Sequence, residues 1–192
     1  MAINLVKGQK VDLTKGNAGL KNLLVGLGWD VSSRDGERFD LDTSAFLLND
    51  DNKAVDYVYF NQQKSANGAI VLSGDNLTGE GSGDDETLTV SLEKVPNNVE
   101  QIAISVNIYE ADSRRQNFGM VNNAYVRIID KDTNKELCKY DLDEDYSIET
   151  GIIFGRIYRH NGEWKFAAVG DGYVGGLAAL GRAYGLDVEE EQ

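Results

Sequence analysis

Ile102–Tyr109 reads IAISVNIY. Ile102, Ile104, Val106 and Ile108 fall on every second position, with small or polar residues between them. Successive side chains leave a strand on opposite faces, so this period marks a β-strand with one face buried. The pattern recurs on both sides of it. Leu88, Val90 and Leu92 alternate in ETLTVSL, and Phe39, Leu41, Thr43, Ala45 and Leu47 alternate in FDLDTSAFLL. The latter places Asp40, Asp42 and Ser44 on the opposite face. Further strands are expected over Leu23–Trp29, Asp56–Asn61, Ala69–Ser73, Ala124–Asp130, Glu136–Leu142, Ile152–Arg159 and Trp164–Val169. Asp35-Gly36, Asn67-Gly68 and Asn161-Gly162 are hairpin dipeptides between them. Many short strands at this spacing predict a mostly β protein, a two-sheet antiparallel β-sandwich. Two helices accompany it: a short polar one over Glu110–Phe118, and a C-terminal one over Gly176–Tyr184. The second carries Leu177, Leu180 and Tyr184 at helical spacing and is expected to lie across one sheet.

The 192 residues suffice for one domain with a real core. That domain is expected over residues 1–188, followed by an acidic tail at 189–192. Hydrophobic residues make up 41% and charged residues 27%, the profile of a soluble globular chain. The formal net charge of -13 argues against nucleic acid and against an anionic membrane surface as partners. The N-terminus, MAINLVKGQKVDL, has no basic stretch followed by an apolar one, so no secretory leader is expected. No apolar run approaches the roughly 18 residues of a membrane span. Cys138 is the only cysteine, which rules out an intrachain disulfide and fits the cytoplasm.

Ser73–Glu86, SGDNLTGEGSGDDE, is the segment richest in chemistry. Asp75, Glu80, Asp84, Asp85 and Glu86 are acidic, and Gly74, Gly79, Gly81 and Gly83 alternate with them. Glycines make such a loop entropically costly to order, and the carboxylates repel one another. A hard cation with oxygen ligands offsets both terms, and calcium is the leading candidate. Asp75 and Asn76 enter the loop; Asp84, Asp85 and Glu86 leave it, with carbonyls near Gly79 and Gly81 as further donors. The spacing is neither an EF-hand nor a stacked repeat. On residues alone, a metal site and a solvated acidic hairpin tip are both open. Asp40 and Asp42, two apart on one strand face, could share the same cation; Asp30 and Glu110 are weaker candidates.

Other motifs carry less. His160 is the only histidine and sits at a hairpin turn, so a histidine zinc cage is impossible. Cys138 reads as a small core residue. Gly170, Gly172 and Gly175 match G-x-G-x-x-G, but too little chain follows for a second parallel strand and its acidic residue. These glycines are expected to serve turning and close packing instead.

The chain resembles the TerD family of tellurium-resistance and stress-response proteins. The matching segments are GLKNLLVGLGWD, FDLDTSAFLL, SGDNLTGEGSGDDE, QNFGMVNNAYVRI and IIFGRIYRHNGEWKFAAVGDGYVGGL, in family order from Leu5 to about Val188. The resemblance implies a calcium-binding β-sandwich in the bacterial cytosol, linked to tellurite, phage, colicin or chemical stress. It carries metal binding over to Asp40, Asp42, Asp75, Asn76, Asp84, Asp85 and Glu86. The expected function is a non-enzymatic module, ordered by one or two calcium ions, that meets protein partners. Tellurite reduction would call for paired thiols or a redox cofactor, and the chain has one cysteine. The alternative is a metal-dependent phosphoester hydrolase, in which carboxylate-held ions activate water.

Overall fold

Period-two segments pair into two sheets. The computed structural model describes residues 1–31, 39–73 and 83–187. In chain order the strands are β1 (Ile3–Leu5), β2 (Lys10–Asp12), β3 (Asn22–Val31), β4 (Leu41–Leu48), β5 (Ala54–Val58) and β6 (Ile70–Ser73). They continue with β7 (Glu86–Ser91), β8 (Gln101–Ile108), β9 (Val121–Asp130), β10 (Lys135–Asp141), β11 (Gly151–His160) and β12 (Glu163–Tyr173). Among the described residues the first sheet has the order β1-β10-β9-β3-β7-β6, and the second β2-β12-β11-β8-β4-β5. The expected sandwich is present, with one difference: β1 runs parallel to β10, whereas the other strand pairs are antiparallel. The three-residue strands β1 and β2 are too short to show a period, which is why alternation misses them.

The main core lies between the sheets. Leu23, Val25 and Leu27 of β3 meet Leu41, Ala45 and Leu47 of β4 and Ile102, Ile104 and Val106 of β8 in one cluster. The second sheet is also covered on its other face. Helix α2 (Gly176–Ala183) seats Leu180, with Tyr184 just beyond it, against Phe46, Leu48, Ala103 and Ile153. This corrects the expectation of strands with one wet face. Every residue of β4 is buried, and β8 is buried from Ile102 onward. Asp42 and Ser44 therefore lie inside the protein, at 6% and 1% exposure.

The polar helix is shorter than expected. α1 covers only Ala111–Arg114, between left-handed Glu110 (φ 51°) and left-handed Arg115 (φ 54°). The buried Phe118 then starts a separate 3-10 turn, Phe118–Met120, and ends any continuation of the helix. The strand expected over Asp56–Asn61 stops at Val58, because Tyr59 and Gln62 pair across a tight turn. Asn161 and Gly162 both adopt positive φ, 51° and 77°, between paired His160 and Glu163. That is the two-residue turn their sequence predicts. Asn67-Gly68 likewise turns, with the Gly68 N–H donating to Ser65 at 2.9 Å. Asp35-Gly36 and the tail from Val188 lie outside the described residues.

Candidate metal centre

Tyr125 and Arg127 stand two apart on β9, opposite Gly28 and Gly26 of β3. The paired glycines leave a trough on the outer face of the first sheet, and Asp84 lies in it. A Cβ at Gly26 would collide with the Asp84 carboxylate. Arg127 grips that carboxylate with both arms, Nε to Oδ1 at 2.8 Å and Nη2 to Oδ2 at 2.9 Å. The Tyr125 hydroxyl donates to Oδ1 at 2.9 Å. The remaining arm of Arg127 reaches Glu136 at 3.0 Å. Asp84 is 8% exposed, so this fork-to-fork pair is largely withdrawn from water. The hydrogen bond to Asp84 raises the guanidinium pKa further. Burial, reinforced by the same carboxylate, pushes the Tyr125 phenol up.

Asp85 turns the other way. Its Oδ2 accepts the Trp29 N–H at 2.8 Å, and its own N–H donates to the Leu27 carbonyl at 2.7 Å. Burial raises its pKa above the ordinary carboxylate value; the Trp29 N–H opposes this, and Asp30 and Asp84 add to it. Asp85 lines a cleft of about 610 Å³ with Asp30, Asp141, Asp143 and Lys139. Lys139 places its ammonium 4.5 Å from the Tyr125 ring centre. Asp30 accepts from Asn123 at 2.7 Å.

Glu86 points between the sheets. It is 3% exposed, and its Oε2 accepts the Thr43 N–H of β4 at 2.8 Å. The end of the acidic segment is thereby fastened to the strand that carries Asp42. Asp42 itself pairs with Asn107 of β8 and, by strand alternation, faces the same side as Phe46 and Leu48. The Asp40 carbonyl accepts the Tyr109 N–H at 2.8 Å.

The candidate residues thus divide. Glu86 is joined to the backbone beside Asp42, Asp85 to the Trp29 N–H in the cleft that Asp30 also lines, and Asp84 to Arg127. Glu110 is tied to Arg114 at 2.9 Å. Asp75, Asn76, Gly79, Glu80 and Gly81 lie outside the described residues. Among the described residues no three His, Cys, Asp or Glu side chains gather closely enough to hold a metal ion. The donor set is oxygen throughout, which suits calcium; Asp84 would join it only by giving up Arg127. Sequence reading missed Tyr125, Arg127 and Glu136. Their signal was present as two i, i+2 pairs, Gly26/Gly28 and Tyr125/Arg127, but strand pairing was needed to set one against the other.

The remaining motifs are structural. Cys138 is fully buried in the main core, and His160 is exposed at the hairpin. Gly172 pairs with Ile152 within β12, and Gly170 accepts the Tyr146 hydroxyl at 2.6 Å. Gly175 (φ 111°) precedes α2. Among the described residues no helix is long and apolar enough to cross a membrane.

Residues 1–184 match the TerD domain. The chain is 55% identical to general stress protein 16U of Bacillus subtilis, with 98% of this chain and 100% of that protein covered. It is 49% identical to the tellurium resistance protein TerD of Serratia marcescens, covering 97% of this chain and 99% of that one. A crystal structure of a telluride resistance protein (TerD) homologue from Streptomyces coelicolor A3(2) superposes with TM-score 0.71 at 25% identity. It covers 85% of this chain and 96% of that one. On sequence and fold together, the chain belongs to the TerD family.

Proposed function

We propose that the protein is a calcium-binding stress-response module of the cytoplasm that acts by binding other proteins. Relatives named for tellurium resistance and general stress support the biological setting. The observation that carries the metal reading is Glu86. A 3%-exposed carboxylate at the end of the acidic segment reaches across the sandwich to the Thr43 N–H, between the sheets. That bond sets Glu86 beside the strand that carries Asp42. Asp40, Asp42, Asp85 and Glu86, with Asp75 and Asn76, would be the donors from which one or two calcium ions draw; Asp85 and Glu86 leave the segment in opposite directions and would not serve the same ion. Asp84 would keep its guanidinium partner and anchor the segment. The ion supplies charge neutralisation, which lets the carboxylates stay close without mutual repulsion. The loop so ordered would offer partners a fixed surface.

The polar helix does not favour the hydrolase alternative. Arg114, the cation nearest in sequence to Glu110, is paired with that carboxylate and stacked on Tyr109, 5.4 Å from the ring centre. It is thereby engaged rather than presented to a phosphate.

Thermal melts with calcium and with chelator test the reading. An ion at 100 times its Kd stabilises the folded state by about 2.7 kcal/mol. For a chain of this size that raises Tm by roughly 5–10 °C. An unchanged midpoint at millimolar calcium refutes it.

A further inference from the structure

A second cleft, of about 530 Å³, opens at the end of the second sheet beside α2. Its volume falls in the range of small-molecule sites. Four aromatic rings run along it: Tyr57 to Tyr59 at 5.3 Å between centres, Tyr59 to Phe60 at 5.3 Å, and Phe60 to Tyr109 at 6.2 Å. Three carboxylates, Glu110, Asp112 and Asp187, share the lining, and among the described residues no Lys or Arg does.

Asn107 supplies an independent sign of a ligand. It lines the same cleft at 4% exposure, and its Oδ1 has no hydrogen-bond partner among the described residues. A buried acceptor without a donor costs free energy, so a ligand that brings an N–H is favoured there.

We infer that this cleft binds a small organic cation carrying N–H donors, a primary ammonium or a guanidinium. The rings offer their negative faces, the carboxylates offset the charge, and Asn107 accepts a hydrogen bond from the buried end. The rim already displays this chemistry. Arg114 lies over Tyr109 and pairs with Glu110 at 2.9 Å. The start of α2 also lines the cleft and carries a partial positive charge of about half a unit. Asp112 and Asp187 outweigh it, with Glu110 already paired to Arg114. Thr150 Oγ1 accepts the N–H groups of Gly175 and Gly176 at 3.1 and 3.0 Å, which removes two donors an anion would need. The wall is firm: the Ile108 N–H donates to the Thr150 carbonyl at 2.9 Å. This inference does not depend on the calcium reading.

Amide NMR titrations with agmatine and with tetramethylammonium decide it. They are run in 2 mM calcium and about 0.15 M salt, which screens the general acidic surface. Agmatine is expected to shift Asn107, Tyr109 and Ala111 saturably, at least tenfold tighter than tetramethylammonium, which has no N–H. Asn107→Leu should weaken agmatine about tenfold. Should that variant fold poorly, Asp112→Asn, on the exposed rim, should still weaken it about threefold. Equal binding of the two cations overturns the inference, as do shifts spread evenly over the acidic surface. Agmatine shifts at Asn107 that appear only when calcium is chelated also overturn it, because they would assign Asn107 to the metal.

Discussion

Arg127 and Asp84 show how one pairing can govern a local surface. The carboxylate is 8% exposed and the guanidinium 31%, so removing the cation leaves a mostly buried negative charge without its partner. Breaking a fully buried pair costs about 3–5 kcal/mol. Partial exposure of the arginine reduces this, and Arg127→Met is expected to cost about 1–3 kcal/mol. Adding Asp84→Asn should restore part of the loss, since the neutral amide needs no counter-charge. Urea denaturation of the two variants and the parent measures both effects. A double variant no more stable than the single one would show that the packing of Arg127, and not its charge, matters. The glycines beneath explain why no larger residue stands at position 26: the carboxylate occupies the volume a side chain would take.

Among the elements, α2 depends on a residue from another strand connection. Gly175 makes no side-chain cap, and Thr150 Oγ1 accepts the first two N–H groups instead. Thr150 is 4% exposed, so its hydroxyl works away from water. Thr150→Val keeps the shape and deletes the acceptor. It should cost about 1 kcal/mol, the usual loss of a helix cap, and should speed hydrogen exchange in α2 more than in β11. Equal effects in both elements would show that the hydroxyl is not a local cap. The hairpins were legible because Asn-Gly supplies positive φ readily, at both positions in Asn161-Gly162 and at Gly68 in the other. α1 was not, because its ends are set by Glu110 and Arg115, which rarely adopt the left-handed conformation that they take here.

For the whole molecule, alkaline stability is set in part by groups sealed in the core. Burial pushes the Cys138 thiol up to about 12, and burial with nearby carboxylates pushes Tyr140 to about 12. Each folded value lies above its unfolded one, so each group's contribution is complete below the unfolded pKa and is lost as pH climbs toward the folded one. The unfolded thiol ionises near 8.5 and the unfolded phenol near 10. Stability should therefore start to fall above about pH 8.5. In Cys138→Ala the fall should begin later, as denaturation midpoints across pH 8–11 would show. Native Cys138 should also resist iodoacetamide at pH 8.5 and react once urea unfolds the chain.

The sequence by itself determined the sandwich, most of its strands, the hairpin turns at Asn67-Gly68 and Asn161-Gly162, the C-terminal helix and the family. Alternation and turn chemistry are local, and a strand reports its period without knowing its neighbours. Only the tertiary structure decided which acids meet which partners. Asp84 and Arg127 are 43 residues apart, as are Glu86 and Thr43, and each contact depends on strand order and register. The same holds for the burial of Asp42: its strand reads as half wet until a helix more than a hundred residues later covers the outer face. A carboxylate's chemistry is set by what stands within a few ångströms of it, and in a sandwich those neighbours come from distant parts of the chain.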